Sequence, residues 1–167
     1  MGGVVDNSPL LKFMQQILAG FPEGFKRRVT LSAVNANNGE YTDFTQDNMA
    51  FSEVAFAAKS SSSIPFVFPP HIWPDRGVFV DGMTGWNINT TSGVEQCREL
   101  VDNDSDIIVD VYIIGDNEKA APIVESDDST FENFMRQREL KKFYHSTDQI
   151  VETMMAYPEV NFRYVML

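Results

Sequence analysis

Asp81 is the residue whose sequence surroundings most favour a role in chemistry. It lies in VFVDGMTGWN, residues 78–87, directly after three apolar residues and directly before Gly82. A carboxylate fixed at the end of a buried strand can accept a proton, and ligands of open α/β sheets bind beyond the carboxyl ends of the strands. An Asp-Gly pair is also a common turn. The local sequence therefore leaves two interpretations of Asp81, a turn residue or a catalytic carboxylate.

Four consecutive serines, residues 60–63, are a second candidate, because a hydroxyl beside a base can attack an ester. The sequence spacing of His71 and His145 from these serines does not indicate that either histidine is their base, and each histidine is isolated in the sequence. Serine favours helix ends over helix interiors. We therefore interpret the run as the end of a helix, and a complete enzyme that uses one of these serines is a third hypothesis.

Three aspartates, Asp102, Asp104 and Asp106, have the spacing with which a calcium loop begins. Such a loop needs glycine at its sixth position and glutamate at its twelfth, but Ile107 and Ile113 occupy these positions. The sequence therefore predicts a solvated acidic turn here. Neither a metal nor a cofactor is expected in this protein.

The chain has 167 residues, of which 43% are hydrophobic, and this predicts one globular domain over residues 1–167. Its net charge of −11 disfavours attraction to phosphate backbones, so we do not expect nucleic acid as a partner. Cys97 is the only cysteine, which suits a reducing compartment. No segment approaches the ~18 apolar residues that span a bilayer, and no signal peptide is recognised. We expect a cytoplasmic protein or one peripheral to a membrane.

Hydrophobic periodicity and turn residues predict the elements that would position the candidates in the first half of the chain. A helix is expected over residues 8–20, and a hairpin over residues 28–45 with Asn38-Gly39 at its turn. A second helix is expected to begin after Asp47 and to end in the serine run.

The second half of the chain alternates between predicted strands and helices. A short buried strand is predicted at residues 77–81, and the pair Ser92 and Glu95 fits a capping box that opens a helix. The stretch IIVDVYIIG, residues 107–115, is an apolar run typical of a central parallel strand. This alternation predicts an α/β layered domain.

The stretch SIPFVFPPHIWP, residues 63–74, contains four prolines, which predict an irregular loop. Its large apolar residues Phe66, Phe68, Ile72 and Trp73 require either burial or an apolar partner. Packing in the core is the favoured interpretation for the two phenylalanines. The other interpretation is transient contact of these four side chains with a membrane surface.

Several segments, taken in order, resemble the second half of the patatin-like phospholipase family. The resemblance covers about residues 6–115, and the order of the segments makes it more specific than any single motif. The segments that carry it are DNSPL at 6–10, VTLSAVNANNGEYTDF at 29–44, AFAAKSSSSIPFVFPP at 55–70, VDGMTGWN at 80–87 and IIVDVYIIG at 107–115.

The resemblance implies a three-layer α/β/α sandwich of the patatin-like type, incomplete at its N-terminal side. It implies hydrolysis of acyl esters of phospholipids or other glycerolipids by a serine–aspartate dyad that needs no metal or cofactor. Asp81 corresponds to the dyad aspartate, the general base. Gly82, Met83 and Asn87 correspond to the residues that support its motif, although Met83 replaces a residue that is usually small.

The nucleophile of such a dyad is absent from this sequence. No serine has glycine two residues before it and two residues after it, as the family's G-x-S-x-G elbow requires. We therefore expect that this chain is the C-terminal part of a catalytic domain and is inactive alone, and that the missing N-terminal part supplies the serine. The alternative is a non-catalytic lipid- or protein-binding module of the same type.

Overall fold

The computed structural model describes residues 3–113 and 130–166, which form helices and mixed sheets of an α/β protein. The chain divides into two compact units, Met1–Gly85 and Trp86–Leu167. The single domain predicted over residues 1–167 stays a prediction. Within the described ranges, no helix is both long and apolar enough to cross a membrane.

The first unit is built on a four-stranded sheet in the order β2-β1-β4-β3, with every neighbouring pair antiparallel. Asp81 is the last residue of β4. The strands are β1 at Thr30–Asn35, β2 at Tyr41–Thr45, β3 at His71–Trp73 and β4 at Gly77–Asp81.

The predicted hairpin is confirmed, because β1 and β2 pair around the Asn38-Gly39 dipeptide. The connection runs over residues 36–40 and is longer than a two-residue turn. Gly39 adopts a φ of 77°, a left-handed conformation that glycine tolerates without strain. The side chain of Asn38 accepts a 3.0 Å hydrogen bond from the N–H of Glu40, which fixes the loop locally.

Helix α2, Val54–Ser61, packs on one face of this sheet and ends in the serine run, as predicted. It begins later than the Asp47 cap suggested, because a 3-10 turn at Phe51–Glu53 precedes it. Small side chains allow the close approach, since Ala57 is fully buried against the sheet. The sheet contributes Ala33, Phe44, Trp73 and Phe79 to the same core.

Helix α1, Ser8–Ala19, confirms the helix predicted over residues 8–20, but it is a surface helix without a fully buried residue. Ile17, on its predicted apolar face, is 42% exposed. Its N-cap residue is Asn7 and not Ser8. The N–H and hydroxyl of Ser8 instead donate to the carboxylate of Asp6.

The second unit has its own small core, formed by Val94, Ile107 and Val160. Its sheet has two parallel strands, β5 and β6. The capping box predicted at Ser92 is corrected, because Asn89 is the N-cap and its side chain accepts from the Ser92 N–H at 3.1 Å. The elements are α3 at Thr90–Arg98, β5 at Ile108–Tyr112, α4 at Thr130–Ala156 and β6 at Asn161–Met166.

Strand β5 is parallel, as the sequence predicts, but in the described ranges it pairs with β6 alone. Among the residues that the structure describes, it is therefore an edge strand and not the central strand that its apolar run indicated. Ile108 is 54% and Tyr112 69% exposed, which a strand covered on both faces would not show. Ile114 and Gly115, the last residues of that run, lie outside the described residues.

Candidate functional site

The carboxylate of Asp81 is buried and oriented by the backbone around it. The residue is 9% exposed. Its N–H donates to the carbonyl oxygen of Ser63 at 2.9 Å, and its Oδ1 accepts a 2.8 Å hydrogen bond from the N–H of Met83. In this way Asp81 caps a short 3-10 helix at Gly82–Thr84. Asp81 is thus a turn-capping residue that also holds a fixed carboxylate.

One sequence-based reason for expecting chemistry at Asp81 does not apply. Strand β4 runs antiparallel to both β1 and β3, so the carboxyl ends of neighbouring strands do not meet at one edge. The rule for ligands at the carboxyl edge of parallel sheets therefore does not select this residue. Its burial and its hydrogen bond from Met83 are what distinguish it.

Gly82 is required by the close approach of two backbones. A Cβ atom at this position would lie 2.6 Å from the carbonyl oxygen of Ser32 on β1, and backbone there cannot yield as a flexible side chain would. The chain that follows Asp81 therefore passes tightly against β1. The adjacent Met83 is half-buried, and its N–H is the group that holds the Asp81 carboxylate.

A buried polar cluster adjoins the backbone of Asp81. Ser63, which is fully buried, donates its hydroxyl to the Lys59 carbonyl at 2.7 Å. The same hydroxyl accepts a 3.2 Å hydrogen bond from Nδ2 of Asn7, which is 3% exposed. Oδ1 of Asn7 is buried without a hydrogen-bond partner among the described residues. No local sequence pattern indicated this cluster.

A serine and a histidine form a close pair that sequence reasoning missed. Ser60 Oγ lies 2.8 Å from His71 Nδ1. The positions of the histidines in the sequence did not indicate that either was a partner of the serine run. The His71 ring stacks on Phe56 at a centroid distance of 5.8 Å. Burial and, to a smaller extent, the charge of Lys59 together lower the pKa of His71 to about 4, so the ring is neutral at pH 7.

Ser60 and His71 are in hydrogen-bonding contact, as a nucleophile and its base would be. The pair lacks the access for a substrate that catalysis requires. Ser60 is fully buried and His71 is 5% exposed. Ser63 is also fully buried, and Ser62 donates its hydroxyl to the Ala58 carbonyl at 2.8 Å. These hydroxyls serve packing and helix termination, so the structure gives no support to a nucleophile at these three positions.

A second polar network lies across the hairpin and was also missed. Ser32 and Asp43 are directly opposed, and the Ser32 hydroxyl donates to Asp43 Oδ1 at 2.6 Å. Burial raises the pKa of the Tyr41 hydroxyl, a hydrogen bond with Ser32 lowers it, and the charges of Asp43 and Asp81 raise it. Opposed polar pairs of this kind stabilise antiparallel sheets.

Asn87, which the resemblance implies as a supporting residue, belongs to the second unit. Its Nδ2 donates to the hydroxyl of Ser146 on helix α4. The next residue, Ile88, donates its N–H to Oε1 of Gln149 at 3.0 Å. Asn87 thus attaches the start of this unit to α4.

The acidic turn is held by an arginine. Nε and Nη2 of Arg98 donate to the two carboxylate oxygens of Asp104 at 2.8 and 2.6 Å. These hydrogen bonds keep the pKa of Asp104 below its usual range. In the described part of the chain, no group of three acidic, histidine or cysteine side chains is arranged to hold a metal ion.

The structure divides the predicted apolar loop. The prediction of an irregular loop with transient membrane contact is corrected for Trp73, which lies in strand β3 and is 4% exposed. The centroid of its ring lies 4.9 Å from that of Phe44. Packing in the core was the favoured interpretation for the two phenylalanines, and it is wrong for Phe66, which is 67% exposed and has a φ of 73°. Phe68 is half-buried. Ile72 is 73% exposed on the opposite face of β3 from Trp73. A membrane contact can therefore involve only part of the predicted set.

The fold and the site together define an α/β protein with a buried, backbone-held carboxylate at the end of an antiparallel strand. A scan against models of known protein families and a search of curated proteins gave no match.

Proposed function

We propose that this chain carries the general base of a lipid acyl hydrolase of the patatin-like phospholipase type, and that Asp81 is that base. The substrates would be acyl esters of phospholipids or other glycerolipids. The serine nucleophile would come from a further N-terminal segment of the same domain, so the chain alone would be inactive.

The observation that carries this proposal is the burial and orientation of the Asp81 carboxylate. A general base must be held in one position, and restricted access of water strengthens its hydrogen bond to the reacting hydroxyl. The hydrogen bond from the Met83 N–H holds Oδ1, and the tight passage at Gly82 holds the backbone that follows. Both supports come from residues of the motif on which the resemblance rests.

The proposed hydrolysis has two halves. Asp81 accepts the proton of the serine hydroxyl while the serine oxygen attacks the ester carbonyl carbon, and it returns that proton to the departing alcohol. Water then attacks the acyl-enzyme carbonyl and gives a proton to Asp81, and Asp81 passes this proton to the serine oxygen as the bond to the acyl group breaks, which releases the fatty acid and restores both the serine hydroxyl and the carboxylate. Neither half of the cycle requires another titratable group.

The three-layer sandwich is part of the same proposal. In the first unit, α2 covers the sheet face that carries Trp73. Ile72 lies on the other face and is 73% exposed. A further layer on that face, as a sandwich requires, would bury this side chain.

The test compares hydrolysis of p-nitrophenyl butyrate by three polypeptides. These are the chain itself, the chain extended upstream in its reading frame, and the extended chain with Asp81→Asn. We expect turnover from the extended wild type alone, and a loss of about 10²-fold or more on Asp81→Asn. The asparagine Oδ1 can still accept from the Met83 N–H, so the substitution removes the base but keeps the cap.

Asp47→Asn is the matched control, because this carboxylate is exposed and its ion pair with Arg28 spans 3.7 Å. It is expected to leave turnover unchanged. Turnover that survives Asp81→Asn would overturn the proposal. Labelling of the unextended chain by a fluorophosphonate probe would instead support the third hypothesis, a serine of this chain.

A second candidate function, a non-catalytic lipid- or protein-binding module, is favoured by the exposed apolar side chains of Val4 and Phe66. The two functions differ in one simple observation. A G-x-S-x-G segment encoded upstream and in frame supports the hydrolase, and its absence from the gene supports the binding module.

A further inference from the structure

Two segments of the first unit are joined by backbone hydrogen bonds, and both segments carry exposed apolar side chains. The N–H of Val4 donates to the carbonyl oxygen of Phe66 at 3.2 Å, and the N–H of Val5 donates to that of Val67 at 2.9 Å. These hydrogen bonds hold the start of the chain along the proline-containing segment. Val4, Val5 and Phe66 are named here the Val4–Phe66 patch.

The approach of the two segments depends on Gly3. A Cβ atom at this position would lie 2.4 Å from the backbone carbon of Phe68 and from the backbone nitrogen of Pro69. Both neighbours are backbone, so no side-chain movement could relieve the clash. The position of the patch is therefore built into the backbone.

The exposure of the patch is unfavourable in free energy. Val4 is 88%, Val5 52% and Phe66 67% exposed. Phe66 also adopts a φ of 73°, a conformation that a bulky residue rarely takes and that is strained for it. Two thirds of this residue's surface is therefore open to an external partner.

The exposed area of the patch indicates which kind of partner it can bind. The three side chains expose on the order of 350 Å², given the area of large apolar side chains, whereas a stable protein interface needs about 800 Å² from each partner. Lipid hydrocarbon needs no complementary surface, and each apolar side chain that enters it adds to binding. A membrane surface therefore fits the patch better than a protein does.

The charges beside the patch are compatible with a lipid headgroup layer. Hydrogen bonds from Ser8 hold the pKa of Asp6, the residue after Val5, below its usual range, and the charges of Lys59 and Lys12 lower it further. One carboxylate and two ammonium groups thus lie together at this end. Within residues 1–85, which include the patch, six basic and eight acidic side chains nearly balance.

We propose that the Val4–Phe66 patch inserts into the surface of a phosphatidylcholine-rich bilayer. This interaction surface goes beyond the proposed hydrolysis, because it does not involve the Asp81 site and does not require catalysis, and it specifies the partner of the second candidate function, the binding module, as a lipid surface. It also differs from the contact that the sequence predicted, since it excludes the buried Trp73 and includes Val4 and Val5.

The test is cosedimentation of the whole chain with phosphatidylcholine vesicles, with and without a minority of phosphatidylglycerol. We compare the wild type with Phe66→Gly and with the double variant Val4→Ser/Val5→Ser. Phe66→Gly removes the ring and relieves the left-handed strain, so it is expected to fold at least as stably as the wild type. Its partition to vesicles is expected to fall by about tenfold or more, and that of the double variant by a similar factor.

Leu100→Ser is the matched control, because Leu100 is 66% exposed and lies in the second unit. It is expected to bind vesicles like the wild type, and so is Asp81→Asn, which separates this inference from the proposed catalysis. The proposal is overturned if the wild type does not bind vesicles, or if Phe66→Gly binds them as well as the wild type does. It is also overturned if Phe66→Gly instead dissolves a self-associated state seen without lipid.

Discussion

Asn7 and Ser63 are 56 residues apart in the sequence, yet the side-chain amide of Asn7 donates a buried 3.2 Å hydrogen bond to the Ser63 hydroxyl. The carbonyl of Ser63 in turn accepts from the N–H of Asp81. The start of the chain, the end of α2 and the end of β4 therefore meet at one serine. This junction fixes the backbone that carries the candidate base.

Removal of the Asn7 amide is expected to destabilise the first unit. Asn7→Ala should lower the free energy of unfolding by about 1–3 kcal/mol, because it leaves a buried hydroxyl with one partner fewer. A double-mutant cycle with Ser63→Ala should give a coupling energy of about 0.5–1.5 kcal/mol in urea unfolding. Asn37→Ala, at an exposed turn position, is the control and should change stability by no more than about 0.5 kcal/mol. A coupling energy of zero would contradict the junction.

His71 should make stability depend on pH. Its pKa is about 4 in the folded protein and about 6.5 when unfolded, so its contribution is complete above pH 6.5 and is lost as pH falls from 6.5 to 4. The loss is at most about 3 kcal/mol. His71→Asn should flatten the slope of unfolding free energy against pH in this window. His145→Asn, which removes an imidazole at an exposed position, is the control, and equal slopes for all three proteins would refute the assignment.

Gly82 and Gly93 should respond to alanine with opposite signs. At Gly82 the added methyl would meet the Ser32 carbonyl oxygen at 2.6 Å, so Gly82→Ala is expected to cost about 1–3 kcal/mol of stability. At Gly93, within α3, nothing lies within 4 Å of the added carbon. Gly93→Ala should therefore stabilise by about 0.5–1 kcal/mol, as measured by thermal unfolding. A neutral Gly82→Ala would show that the chain does not pass so close to β1.

Trp73 and Ile72 are neighbours in the sequence and should differ sharply on substitution. Trp73 packs against Phe44 and lies under the guanidinium of Arg76, 4.9 Å from the ring centroid, so Trp73→Ala should cost about 3–5 kcal/mol. Ile72→Ala should change the unfolding free energy by less than about 0.5 kcal/mol, because its side chain is exposed. Equal effects of the two substitutions would contradict the strand assigned at His71–Trp73.

Local signals located most of the secondary structure. Hydrophobic periodicity indicated the first helix, and the serine run marked the end of α2. The hairpin was visible from alternating residues around Asn38-Gly39. The register was not, because a two-residue turn there would oppose Asp43 to Val34, whereas the longer loop opposes Asp43 to Ser32. Loop length is set by packing of the two strands, which no short window of sequence reports.

The sequence by itself determined the helices, the hairpin, the acidic turn and the motif around Asp81, because capping, periodicity and turn formation act over a few neighbouring residues. Only the tertiary structure decided that β4 is antiparallel to its neighbours, that Trp73 is buried while Phe66 is exposed, and that Ser60 meets His71. Those features depend on contacts between distant segments. They follow from which apolar faces pack together, and the order of residues alone leaves that choice open.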